Sequence, residues 1–181
     1  MALVRQFSQG AAVGQSGQAS PVERLVPEQV IRFEVHGDLP PKKDGASSMW
    51  LKDLEVQRVV KLRLAATQAF GQTPALTKNI GLRLSVHLPQ NSRAAGDLDN
   101  FVTGVCDALQ AAAPRTPWAN HTTSSDPRFA AVRPDLVIGM IDDCEVVEIT
   151  AKKIVGHAGE PWYEVVLTGE GAVLGQGPWF H

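Results

Sequence analysis

A chain of 181 residues with an apolar fraction of 44% is long enough for a domain with a substantial core. Its formal net charge of −2 excludes a global basic field, so any nucleic-acid contact has to rest on a local patch. No apolar run approaches the roughly 20 residues of a membrane span, no secretory h-region opens the chain, and two cysteines do not make a disulfide framework; the expected setting is a reducing cytoplasm.

Residues 1–20 are rich in Gln, Gly, Ala and Ser without periodicity and read as a flexible tail, leaving 21–181 as one domain. From Val30 to Val35, Ile31, Phe33 and Val35 alternate with Arg32, Glu34 and His36, the pattern of a half-buried strand. Leu39-Pro40-Pro41 breaks it, and a polar loop carries Lys42 and Lys43. A helix is predicted from about Leu51 to Phe70, its apolar stripe built from residues such as Leu54, Leu62, Leu64 and Ala66, with Glu55, Arg58, Lys61 and Arg63 largely outside. Gly71 is a natural stop.

Ile80 to Leu88 alternates cleanly and is the clearest strand. After Pro89 and a turn holding Arg93 comes Gly96-Asp97-Leu98-Asp99-Asn100, then a helix from Asn100 with a wide apolar face, stopped by Pro114. Residues 115–135 form a long insertion with several prolines. Asp142-Asp143 opens another strand, Cys144 to Val155, and Trp162 to Thr168 is expected to return beside it as a hairpin. The expected fold is α+β: a small mixed sheet of about four strands with two main helices packed on it.

Asp97 and Asp99 lie two apart, and two carboxylates held close repel unless a cation or proton intervenes. Oxygen-only ligands suit a hard cation such as Mg²⁺. Each acidic pair alone has a plainer reading, as a helix N-cap or a turn. The expectation that joins them is that the end of the second strand lies beside the start of the third, so that Asp97 and Asp99 meet Asp143. His36, His87, His121 and His157 have no zinc spacing with either cysteine, no phosphate-binding loop precedes a helix, and no organic cofactor is expected.

The run Gly-Asp-Leu-Asp-Asn-Phe-Val-Thr-Gly-Val-Cys-Asp-Ala-Leu from Gly96, followed by Asp142-Asp143 and Val146-Val147, resembles the RusA family of Holliday junction resolvases. The resemblance runs from about Val30 to Leu167 and implies a RusA-like fold and Mg²⁺-dependent cleavage of branched DNA, with Mn²⁺ a possible substitute. It further implies a homodimer, suited to two symmetric cuts. Carried over, Asp97, Asp99 and Asp143 match the family's metal ligands, Asp142 the adjoining acid, and Asp107 the Asp of its Asp-Ala-Leu. Thr103 stands where the family has a catalytic lysine, and the arginine-rich segment before the motif is reduced to Arg93. Lys42, Lys43 and Lys152 are the expected compensating DNA contacts, with Lys42 or Lys43 replacing the missing lysine. Thr103 and the acidic balance keep open a non-cutting nucleic-acid or protein binder, and the weak basicity a small-molecule phosphohydrolase.

Overall fold

The computed structural model describes residues 28–43, 52–90, 92, 97–110, 127–129, 132, 138–140 and 142–171. The predicted tail, Arg93 and most of 115–135 lie outside them. The element order is β1 (Glu28–His36), α1 (Asp53–Phe70), β2 (Leu76–Pro89), α2 (Leu98–Leu109), β3 (Val146–His157) and β4 (Trp162–Gly171), with short 3₁₀ turns at Pro127–Phe129 and Asp143–Glu145.

One four-stranded sheet has the order β1-β4-β2-β3. β4 runs antiparallel to both β1 and β2, whereas β3 runs parallel to β2. The sheet is therefore mixed, with both helices on one face, as the α+β expectation has it. Alternation sets that face: Ile31, Phe33 and Val35 of β1 and Tyr163, Val165 and Leu167 of β4 are buried, in one core with Leu82, Leu84 and Val86 of β2. The helices close it with Val59, Leu62 and Ala66 from α1 and Phe101, Val105 and Ala108 from α2. Gly71 ends α1 as expected, at φ 54° with its N–H on the Thr67 carbonyl.

Two expectations are corrected. β3 and β4 are not a hairpin: β4 inserts between β1 and β2, and β3 is left as an edge strand. A strand whose inward side chains are all buried belongs in the middle, while Val147 and Ile149 of β3 stay 69% and 54% exposed. The face of α1 is also rotated from its predicted stripe. Leu54 and Leu64 are exposed, whereas Glu55 and Arg63 are buried, Arg63 completely.

Buried Arg63 is stabilised by carbonyls. Its Nη1 donates to the Ala108 and Gln110 carbonyls at 2.8 and 3.0 Å, and its Nε to the Val132 carbonyl at 3.3 Å. The last carbonyls of a helix lack intrahelical donors and carry partial negative charge. α2 has no basic residue in its own last turn, so α1 supplies the cap across the core. Phe129 and Val132, within the predicted insertion, are buried in the same core.

Candidate metal and DNA site on the second helix

α2 is the element on which the predicted site depends. Asp97 is its N-cap in extended conformation, its side chain making no capping hydrogen bond, and Asp99 lies in the first turn. Both carboxylates are exposed. At the other acidic pair, the Asp142 Oδ1 accepts the Cys144 N–H at 2.9 Å, capping the 3₁₀ turn that leads into β3. That hydrogen bond holds the Asp142 carboxyl below its ordinary range. Asp142, Asp143 and Cys144 place one ligand atom each within 4.8 Å of one another, all exposed, and among the described residues no other such group of three occurs.

The parallel pairing of β2 with β3 sets start beside start, Ile80 opposite Val146, and end beside end, Pro89 opposite His157. Asp97 follows the end of β2, whereas Asp143 precedes the start of β3. The expected neighbourhood of the end of β2 and the start of β3 is thus not formed. Asp107, the acid of α2 on which Asp143 acts, lies eight residues beyond Asp99, about 12 Å of helical rise. Asp143 sits instead at the far half of α2, where its charge acts on Asp107 and Cys106. Burial pushes the Asp107 carboxyl up and Asp143 adds to it, against the pull of Lys43. Burial, with Asp143 and Asp107, likewise pushes the Cys106 thiol up to about 12.

The lysines divide. Lys43 lies against α2, its Nζ 2.7 Å from Asp107 and its N–H on the Asn100 carbonyl at 3.3 Å. The Lys42 N–H donates to Glu55 Oε2 at 2.7 Å. Lys152 pairs in register with Ser85 and so falls on the sheet face away from the helices. Its neighbour Lys153 pairs with Val86 on the helix-covered face, its ammonium 5.8 Å from the Phe101 ring centroid. Lys152 thus faces away from α2 and Lys153 toward it, because alternate residues of a strand share a face. Arg93 lies outside the described residues.

Thr103 donates its hydroxyl to the Asp99 carbonyl at 2.9 Å, a back-bond within the helix. It brings no charge to the acids. Trp162 lies between His87 and His36, with ring centroids at 3.7 and 5.4 Å. Among the described residues no helix is long and apolar enough to cross a membrane.

The acids fit a hydrated divalent ion in kind. They are carboxylate oxygens, exposed to the water that Mg²⁺ retains when it is held by one or two protein ligands. A scan of the chain against protein-family models and a search of curated proteins each found no match.

Proposed function

We propose that the chain is a Mg²⁺-dependent endonuclease of branched DNA, acting in the cytoplasm as a homodimer whose two copies share each metal site. The motif Asp97-Leu98-Asp99-Asn100 with Asp142-Asp143 is the chemical ground for it. The observation that carries it is topological. The two acidic groups lie at opposite ends of the β2–α2–β3 unit, and β3 is the sheet edge of that unit.

An edge strand offers unpaired backbone groups, and β3 also exposes Val147, Ile149 and Val155. Two copies joined through β3 about a two-fold axis run antiparallel. The start of one β3 then lies against the end of the other, so Asp143 approaches Asp97 and Asp99 of the partner subunit. The separation within one chain is what such a pairing requires. When bound, the ion supplies charge neutralisation at the phosphate and an activated water. Asp97, Asp99 and Asp143 hold it, Asp142 fixes the turn that carries Asp143, and the lysines beside α2 face the DNA backbone.

The test is complementation. Asp99→Asn and Asp143→Asn are each expected to abolish cleavage of a four-way junction. Mixed and reassembled, the two dead proteins give heterodimers with one intact site. A 1:1 mixture should recover roughly a quarter of wild-type cuts, half the dimers having one of two sites working. No recovery, with heterodimers verified by mass, rejects the shared site.

A non-cutting binder is the second reading, favoured by Thr103, whose hydroxyl is turned onto its own helix. Junctions that bind yet stay intact in Mg²⁺ and Mn²⁺ would establish it.

A further inference from the structure

Gly104 stands in the middle of α2, where glycine is less favourable than alanine. Its reason is a close approach. A Cβ at position 104 would overlap the Pro41 carbonyl oxygen and lie 2.7 Å from the carbonyl carbon. The Pro40–Lys43 loop is thus seated directly on the helix. Two bonds hold it there, Lys43 N–H to the Asn100 carbonyl and the Lys43 ammonium to Asp107, and a third ties it to α1, Lys42 N–H to Glu55. Glu55 is itself fixed by Arg58 Nη1 at 2.7 Å, and Arg58 and Lys61 both bind Asp38 at 2.9 Å, at the start of the same loop.

A lysine on a surface loop ordinarily keeps its rotamer freedom and a free hydration shell. Here backbone and side chain are both restrained, yet the side chain remains 35% exposed. Its partner Asp107 is only 21% exposed and lies within the field of Asp143. An ammonium has three donors, and a single carboxylate contact leaves capacity for an anion from solvent.

We infer that the glycine-seated loop makes Lys43 a fixed phosphate contact for bound DNA, with Asp107 as its positioning residue. This rests on the nuclease reading for its substrate, and it deepens it by saying which of the expected lysines is held in place, by what loop and by which acid. A point charge on one phosphate carries no sequence information; it sets register and contributes to the salt dependence of binding.

Binding of a synthetic four-way DNA junction is measured in EDTA across a salt series, with wild type, Lys43→Met, Lys43→Arg and Asp107→Asn, their folding checked by thermal melts. Lys43→Met should reduce the slope of log K against log salt by about one, and Lys43→Arg should retain it. Asp107→Asn should keep the slope while lowering the cleavage rate at saturating junction in Mg²⁺, because the ammonium is present but no longer held. An unchanged slope in Lys43→Met overturns the inference, as does a wild type that does not bind the junction. Because the slope is read without metal, a wild type that binds but never cuts defeats the nuclease reading alone. Normal cutting with an unchanged Lys43→Met slope defeats this inference alone.

Discussion

Replacing Arg63 by Met tests how the end of α2 is held. Methionine keeps an apolar stem in the core but removes donors to three carbonyls, those of Ala108, Gln110 and Val132. Gln110 is partly exposed and its carbonyl can rehydrate, whereas Ala108 and Val132 are buried. Two acceptors left dry cost about 1–3 kcal/mol each, and removing a buried cation returns part of its desolvation cost. The net expectation is a loss of about 3 kcal/mol, or roughly 6–12 °C in Tm for a chain of this size. Urea unfolding with an unchanged m-value measures it. Lys at 63 should fall between, since one ammonium lacks the fork that reaches both sides. A loss below about 1 kcal/mol in Arg63→Met would mean that α2 does not depend on this cap.

Gly104→Ala gains about 1 kcal/mol of helix propensity but must displace the loop, losing the charge-assisted Lys42–Glu55 bond and the Lys43–Asn100 bond. The expected result is a net loss of about 1–2 kcal/mol together with the junction salt slope of Lys43→Met; a stabilised variant with a normal slope would refute the seating. The Asp38 carboxyl is pushed up by burial, but hydrogen bonds from Lys61, Arg58 and the Leu39 N–H outweigh this and leave it below its ordinary range. A depressed pKa gives stability that is present above the ordinary value and lost as pH falls through the folded one. Asp38→Asn should therefore flatten the fall in unfolding free energy below about pH 4, and an unaltered profile would show that the network contributes nothing there. Asp107 works with the opposite sign, since burial raises its pKa and its ionisation weighs against the fold as pH rises. Cys106 is buried with its thiol pushed up to about 12, whereas Cys144 is exposed. Iodoacetamide should label only Cys144 in the native protein and both after unfolding, read by mass spectrometry.

The strands were legible where side chains alternate against one core. Ile31, Phe33 and Val35, and Leu82, Leu84 and Val86, are buried as the period of two requires. The rotation of α1 was not legible, because hydropathy ranks Arg63 as a surface residue and ignores the helix-end carbonyls that receive it. The hairpin expectation failed for a related reason. Sequential strands usually pair, but pairing is decided by which strand can bury its inward side chains. Tyr163, Val165 and Leu167 are fully buried on the inward face, while β3 carries Glu148, Thr150, Lys152 and Lys153, the polar and charged dress of an edge.

That misplacement of β3 also decides how the acids can work. In a strand–helix–strand unit with parallel strands, both strands start at the same end, and the helix returns between them. Acids at the helix start and at the next strand's start then sit at opposite ends whatever their spacing in sequence. On the proposed reading, convergence on one ion calls for a second copy, and activity is expected to depend on the dimer. Val147→Lys with Ile149→Lys places two charges on the edge strand β3 at residues that are both more than half exposed. The variant is expected to keep its Tm within about 1 °C, since exposed substitutions change stability little. It should sediment as a monomer and lose junction cleavage, while Asp99 and Asp143 remain intact in every chain. A cleaving monomer would show that each chain assembles its own site, and the acids would then have to be brought together by a rearrangement of α2 against β3.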